Sequence, residues 1–169
     1  MFTKMLVATD MSEASEKAIC ALSGMKELGT EEAILIHCFN IRDVGTLADQ
    51  LMELNRPSFE KQKQMLEKMG FKTTGKMVLG LPHIEVNRMA EEHNCSLIVV
   101  GSHGHIIASD VTLGSVAGAV VHTAVRPVLL LRCRLRDADG KEICESPVCD
   151  PLSHVLFPTD FSDNAEHAF

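Results

Sequence analysis

The stretch "LIVVGSHGHIIASDVTLGS", residues 97 to 115, contains the strongest indication of the fold of this chain. It begins with four apolar residues, Leu97 to Val100, and continues into a segment that contains Gly101, Gly104 and Gly114. A short run without polar alternation is typical of a strand buried on both faces of a parallel sheet. Because an apolar helical pattern begins at Ser115, the stretch predicts a strand, a glycine-rich loop and a helix, in that order.

The same succession of short apolar runs and amphipathic segments extends over the first 133 residues. Ser12 is expected to cap a helix that ends at Gly29, Pro57 to interrupt a second helical segment over 44–69, and Pro82 to open a third. The predicted strands are 5–8, 33–39, 72–78, 97–100 and 127–133, and the last helix is 115–123. This order predicts an α/β fold with a doubly wound, five-stranded parallel sheet and helices on both faces.

Composition excludes several classes of function. Hydrophobic residues make up 46% of the 169 residues, which is enough for a sizeable core. The net charge of −7 and the absence of Trp and Tyr disfavour nucleic acid as a partner, because neither bulk charge nor a large stacking platform is available. No apolar run approaches membrane-spanning length, so no membrane partner is expected. The six cysteines do not suggest a disulfide framework, and we expect a cytoplasmic protein.

The chain also contains an internal repeat. "KMLVATDMSEASEKAI" at 4–19 aligns with "HVLFPTDFSDNAEHAF" at 154–169, with six identical pairs at an offset of 150. Roughly one match is expected by chance in such a window. We therefore predict a domain over 1–133, a polar linker over 134–153, and the first strand and helix start of a truncated second copy over 154–169. Asp139-Gly140 is suited to a hairpin turn beside the fifth strand.

The spacing of the loop is G-x2-G-x9-G-S, from Gly101 to Ser115. Glycines let backbone N–H groups approach a phosphate, and a helix that starts at Ser115 would direct further N–H groups and its dipole at the same point. The alternative is a flexible connection between two buried elements. The loop is not a Walker loop, since no Gly-Lys-Ser/Thr follows the glycines.

Several segments together resemble the universal stress protein family. They are "ATDMS", "LIHC", "GLPHIEV", "IVVGSHG" and "LGSVAGAVVHTAVRPVLLL", and the resemblance covers residues 3 to 133 and restarts at "VLFPTDFS". G-x2-G-x9-G-S is the pattern of the ATP-binding branch of that family. The resemblance implies a Rossmann-like five-stranded sheet, ATP (or ADP or AMP) with Mg²⁺ or Mn²⁺ at its carboxyl edge, and a homodimer. We expect the dimer contact at the strand over 127–133, whose apolar residues would be an aggregation risk on a bare edge.

Family roles carry over to individual positions. The turn at Ala8, Thr9 and Asp10 is similar to the segment that meets adenosine, with Asp10 toward the ribose hydroxyls or a metal. Ala8 stands where the family often has Pro. The backbone at Cys38 corresponds to the place where the family meets adenine. The phosphate-binding stretch matches Gly101, Ser102, Gly104, Gly114, Ser115 and Val116.

Each of these residues also has a simpler interpretation. Asp10 and Ser115 are both suited to capping a helix, and the Cys38 thiol fits an inert core position. His103 and His105 suggest a metal, but no third ligand stands at a recognisable spacing. Cys144 and Cys149 are suited to metal binding or pairing, or to neither. The alternating Arg132, Arg134 and Arg136 are typical of a solvated face.

Three functions remain open from the sequence. The first is a stress-response regulatory domain that binds an adenine nucleotide, with an unknown client protein. The second is a slow ATPase, which is disfavoured because the loop contains no Lys or Arg to stabilise a transferring phosphoryl group. The third is a nucleotide-free partner-binding domain that retains only the fold. We assign no catalytic residue.

Overall fold

The structure is a computed structural model that describes residues 2–102, 113–131, 134–137, 142–145, 156 and 162. The strands of the main sheet are β1 (Lys4–Ala8), β2 (Glu32–Asn40), β3 (Lys72–Gly80), β4 (Leu97–Gly101) and β5 (Val128–Leu131). The helices are α1 (Glu13–Cys20), α2 (Ile41–Val44), α3 (Ala48–Lys68), α4 (Pro82–Glu92) and α5 (Ser115–Thr123). Two short 3₁₀ helices cover Ala21–Lys26 and Gly45–Leu47.

The main sheet is parallel throughout, with the strand order β3-β2-β1-β4-β5. Leu6 of β1 lies opposite Ile34 on one side and Ile98 on the other. The chain therefore builds the sheet outward from β1 in both directions, and the order reverses between β1 and β4. The predicted five-stranded parallel sheet is confirmed, and its switch point lies where β1 and β4 end.

Two hydrophobic clusters cover the two faces of the sheet. Met5 and Val7 of β1 pack in one cluster with Phe59 and Leu66 of α3. Leu6, one residue out of phase, packs in the other cluster with residues of α4 and α5, among them Met89 and Val120. Successive side chains of a strand point to opposite faces, so β1 needs apolar residues at every position. This explains the uninterrupted apolar runs in the sequence.

The helix expected to break at Pro57 is continuous. α3 runs from Ala48 to Lys68 with Pro57 inside it, so the predicted interruption is wrong. Arg56, Pro57 and Ser58 are all exposed. Water can therefore bond the carbonyl group that the missing proline N–H leaves without its helical donor, and the buried side chains of the helix hold the segment together.

The first helix is also shorter than expected. α1 ends at Cys20, and the 3₁₀ helix Ala21–Lys26 continues its direction to a turn at Gly29. The predicted helix end at Gly29 is therefore too late, although the chain does turn at this residue. The φ of Gly29 is +85°, a conformation that glycine adopts without steric cost. The apolar stripe remains in the core through Ile19, Leu22 and Met25.

The segment 134–153, predicted as a linker, contains an antiparallel pair of strands. β6 (Arg134–Asp137) pairs with β7 (Glu142–Glu145), with Arg134 opposite Glu145, as a two-stranded sheet of its own. The two strands flank Asp139-Gly140, where the sequence predicts a hairpin turn. The turn at Asp139-Gly140 lies outside the described residues, as do Arg132, Cys133 and Cys149. Most of 154–169 lies outside them too, so the second copy and the domain boundaries stay predictions.

Candidate functional site

The ends of β1 and β4 lie together at one edge of the sheet. The two strands are parallel neighbours, with Val7 opposite Val99. The turn at Thr9 and Asp10 therefore starts beside the loop that begins at Gly101. In open α/β sheets this crevice, where the strand order reverses, is where ligands bind.

Hydrogen bonds hold both the backbone and the side chain of Thr9. It is buried, with 8% of its surface exposed. Its N–H donates to the carbonyl oxygen of Ile36 at 2.9 Å, and its own carbonyl oxygen lies 2.8 Å from Nδ1 of His37. The hydroxyl group donates to Oε1 of Gln62 at 2.6 Å and accepts from the N–H of Met11 at 2.8 Å. Thr9 therefore anchors the turn to β2 and α3.

Asp10 uses one carboxylate oxygen to organise the start of α1. Its Oδ1 accepts from the N–H of Ser12 at 3.0 Å, from the Ser12 hydroxyl at 2.6 Å, and from the Ser15 hydroxyl. Ser12 is the N-cap of α1, as predicted, and accepts from the N–H of Ser15 at 3.2 Å. These contacts support the interpretation of Asp10 as a residue that organises the helix start.

Met11 completes the turn in an unusual conformation. Its φ is +63°, in the left-handed region that few residues other than glycine adopt without cost. The hydrogen bond from its N–H to the Thr9 hydroxyl closes the turn at this residue. The conformation of Met11 therefore depends on the placement of the Thr9 side chain.

The two ends of the glycine loop are joined to each other. Ser102 is buried, with 4% of its surface exposed, and its N–H donates to the carbonyl oxygen of Leu131 at 2.8 Å. Its carbonyl oxygen accepts from the N–H of Gly114 at 2.8 Å. The structure thus brings Gly101 and Ser102 next to Gly114 and Ser115. Gly104, with His103 and His105, lies outside the described residues.

α5 begins where the loop ends. Gly114 occupies the N-cap position, and among the described residues no side chain makes a capping hydrogen bond there. Ser115 is the first helical residue rather than the cap, so the structure does not support the interpretation of Ser115 as a helix cap alone. Val116 follows with 40% of its surface exposed. The first turn of α5 therefore presents backbone N–H groups that no side chain in the described part of the chain caps, a suitable arrangement for an anion.

Cys38 lies near the end of β2, two residues beyond Ile36, the partner of Ala8. Its thiol is half-buried and donates to the carbonyl oxygen of Phe39 at 3.8 Å. Burial, reinforced by the negative charge of Glu85, raises the pKa of the Cys38 thiol to about 11. The thiol is therefore protonated at neutral pH, in keeping with the inert interpretation.

Sequence analysis missed Gln62, His37, Ser15 and Glu85. Gln62 and His37 hold Thr9, whereas Ser15 holds Asp10. Glu85 lies beside Cys38 and pairs with Arg88 at 2.8 Å. The buried position of Gln62 could have been predicted from the sequence, because it stands three residues after Phe59 and four before Leu66 on an apolar helical stripe. A polar residue in such a stripe is worth singling out.

The described part of the chain contains no group of three or more His, Cys, Asp or Glu residues that could hold a metal ion. A metal contact at Asp10 would therefore have to be shared with a bound ligand. In the same part of the chain, no helix is both long enough and apolar enough to cross a membrane.

Comparison with known proteins identifies relatives over the same region. The model of the universal stress protein family matches residues 1–132. The chain is 30% identical over 155 residues to the universal stress protein MJ0577 of Methanocaldococcus jannaschii, with 78% of this chain and 96% of that protein covered. It is 28% identical to the universal stress protein YxiE of Bacillus subtilis, with 78% of this chain and all of that protein covered.

Solved structures give the same result. The structure of MJ0577 superposes with a TM-score of 0.74 at 33% identity, over 79% of this chain and 98% of that one. A universal stress protein in complex with cAMP superposes with a TM-score of 0.61 at 20% identity, over 78% of this chain and 97% of that one. The Archaeoglobus fulgidus universal stress protein in complex with dAMP also gives 0.61 at 20% identity, over 77% and 98%.

Proposed function

The chain belongs to the universal stress protein family, and from this membership we propose that it binds ATP, or ADP or AMP, with Mg²⁺ or Mn²⁺, between the ends of β1 and β4. Two proteins of the same fold were solved with cAMP and with dAMP, which are adenine nucleotides. The G-x2-G-x9-G-S spacing, the pattern of the ATP-binding branch, adds support from this chain's own sequence.

The hydrogen bond between Ser102 and Gly114 carries the proposal. By joining the two ends of the loop, it collects the glycine backbone at 101 and 114 in front of the first turn of α5. The N–H groups of Ser102 and Gly114 already donate within the protein, so a phosphate group in this place would accept from the N–H groups of the first turn of α5. It would also face the positive end of the helix dipole. We assign the phosphate contacts to Gly101, Ser102, Gly104, Gly114, Ser115 and Val116.

We assign the adenosine to the neighbouring strand ends. Ala8, Thr9 and Asp10 would line the ribose, and the backbone at Cys38 would meet the base. Asp10 is the candidate for the ribose hydroxyls or for the metal that accompanies the phosphates. Its Oδ1 accepts hydrogen bonds from Ser12 and Ser15. The turn therefore fixes the orientation of the carboxylate that would make this contact.

The proposed role is regulatory binding rather than rapid turnover. Residues 101–116 contain no Lys or Arg, so the loop itself offers no cation to stabilise the transferring phosphoryl group. We therefore expect the protein to bind ATP but to hydrolyse it only very slowly. The described cysteines Cys20, Cys38 and Cys95 are free thiols, which supports the cytoplasmic location that we propose.

We also propose a homodimer through the strand over 127–133. β5 is the outer strand of the main sheet, so one edge of its backbone has no neighbouring strand in that sheet. Leu130 on this strand and Val125 just before it expose 39% and 67% of their surfaces. A second copy would pair the edge and cover these side chains. Sedimentation at micromolar concentration should give a dimer, and a monomer alone would contradict this assignment.

Calorimetry with ATP, in the presence and absence of Mg²⁺, tests the nucleotide site. Gly114→Val should abolish or strongly weaken binding, because a branched side chain blocks backbone approach to a phosphate. Gly118→Val is the matched control: the first atom added there would lie 3.7 Å from the Leu113 side chain, an ordinary contact. Equal ATP affinity in wild type and Gly114→Val would refute the phosphate assignment.

A further inference from the structure

Gln62 is a polar residue in the core, on the side of α3 that faces the sheet. None of its surface is exposed, and Phe59 and Leu66 on the same stripe are 3% and 0% exposed. Its Oε1 accepts the hydrogen bond from the Thr9 hydroxyl at 2.6 Å. Its Nε2 is buried and has no hydrogen-bond partner among the described residues. The amide is therefore only half-satisfied.

A buried amide with only one of its two polar groups hydrogen-bonded lowers the stability of the fold. A buried donor without a partner loses its hydration and gains nothing in return. A methionine side chain of similar length would fill the same space without that cost. Core packing alone therefore does not explain why a glutamine stands at position 62. The hydrogen bond that its side chain accepts from Thr9 offers another explanation.

That contact leads directly to the turn after β1. Gln62 accepts the hydroxyl proton of Thr9, which orients the Thr9 oxygen so that its lone pairs are left for the N–H of Met11. Met11 holds a φ of +63°, which a non-glycine residue adopts only when its surroundings impose it. Gln62, Thr9 and Met11 thus form a chain from the middle of α3 to the residue that follows Asp10.

We propose that Gln62 is a positioning residue that holds the Thr9–Met11 turn in its ligand-ready conformation before a nucleotide arrives. The proposal rests on the proposed function, because the turn is the part of the site assigned to adenosine. A turn that is fixed in advance does not have to be ordered at the moment of binding, so its fixation raises affinity. The buried amide is thereby explained by binding rather than by folding.

Gln62→Met tests this inference. We expect the melting temperature to stay the same or rise, while ATP affinity falls about tenfold, the equivalent of one hydrogen bond. In the nucleotide-free protein, hydrogen exchange at the Met11 amide should become faster. Gln64→Met makes the same chemical change at an exposed position of the same helix and should alter none of these quantities.

Two further variants separate positioning from general damage. Thr9→Val removes the same hydrogen bond from the other side, together with the acceptor of the Met11 N–H, and should also speed exchange at Met11. Thr9→Ser keeps the hydroxyl and should leave exchange at Met11 as slow as in the unsubstituted protein. Adding Met11→Gly to Gln62→Met should restore part of the affinity, because glycine adopts a positive φ without cost. A merely structural role for Gln62 predicts no such rescue.

Unchanged exchange at Met11 in both Gln62→Met and Thr9→Val would overturn the inference, and so would faster exchange with undiminished ATP affinity. A parallel loss of melting temperature and affinity, without rescue by Met11→Gly, would also overturn it. If the unsubstituted protein bound no adenine nucleotide, the proposed function would fail. The exchange rate at Met11 would still decide whether Gln62 holds the turn.

Discussion

The turn after β1 and the loop after β4 lie side by side, but they are held in different ways. Side chains hold the turn: the Thr9 hydroxyl and the Asp10 carboxylate accept from the residues that follow them. The described ends of the loop are joined through the backbone, from the Gly114 N–H to the Ser102 carbonyl. Substitutions in the turn should therefore change folding stability, whereas substitutions in the loop should act on ligand binding.

Asp10→Ala should have the largest effect on stability. It removes the acceptor for the Ser12 N–H and for the hydroxyls of Ser12 and Ser15 at once. Since the site is partly exposed and water can replace some of these contacts, we expect a loss of about 2 kcal/mol in the free energy of unfolding. Urea unfolding followed by circular dichroism measures this quantity.

Asp10→Asn is the control for that substitution. The amide oxygen can still accept from Ser12, so its loss should be smaller than that of Asp10→Ala. A change of less than about 0.5 kcal/mol for Asp10→Ala, the level of ordinary surface substitutions, would show that side chains do not hold the turn.

Ser12→Ala should have a smaller effect on the same turn. It removes the side-chain cap of α1, the bond from the Ser15 N–H at 3.2 Å, but leaves Asp10 in place. Removal of such a cap typically costs about 1 kcal/mol. Ser12→Thr keeps a capping hydroxyl and should stay close to wild type in the same urea experiment. A loss for Ser12→Ala equal to that of Asp10→Ala would mean that the hydroxyl, not the carboxylate, organises the turn.

The sequence allowed the strand ends to be located but not the contacts that hold them. Apolar runs such as Leu97–Val100 predict buried parallel strands, and parallel strands place their carboxyl ends at one edge. Gln62 and His37, in contrast, reach Thr9 from positions 53 and 28 residues away. Spacing along a chain shows which face a residue occupies, but not which residue of another element it meets.

One wrong expectation and one unforeseen pair of strands have local causes. Pro57 was expected to interrupt a helix, but it lies on an exposed turn of α3, where water can serve the carbonyl that loses its donor. The segment 134–153 is polar and was interpreted as a linker with a possible hairpin turn at Asp139-Gly140, and two runs of four residues within it pair as β6 and β7. Polarity excludes a place in a large core without excluding a hairpin, since backbone hydrogen bonds do not depend on apolar side chains.

The loop gives the smallest expected change in stability. The φ of Gly114 is −56°, a value that alanine adopts readily. Gly114→Ala restricts the unfolded chain, which favours folding, but alanine is less suited than glycine to the N-cap position that Gly114 occupies. Because the two effects oppose each other, the free energy of unfolding of the nucleotide-free protein should change by less than about 0.5 kcal/mol. Gly114→Ala should also reduce the rise in melting temperature that ATP produces, because at the proposed phosphate site the added methyl group would hinder the approach of the phosphate. Gly118→Ala, one turn further along α5, should stabilise the protein without reducing that rise. A loss of more than about 1 kcal/mol on Gly114→Ala, as large as that expected for Ser12→Ala, would contradict this contrast between the turn and the loop. An undiminished ATP-dependent rise would contradict it too.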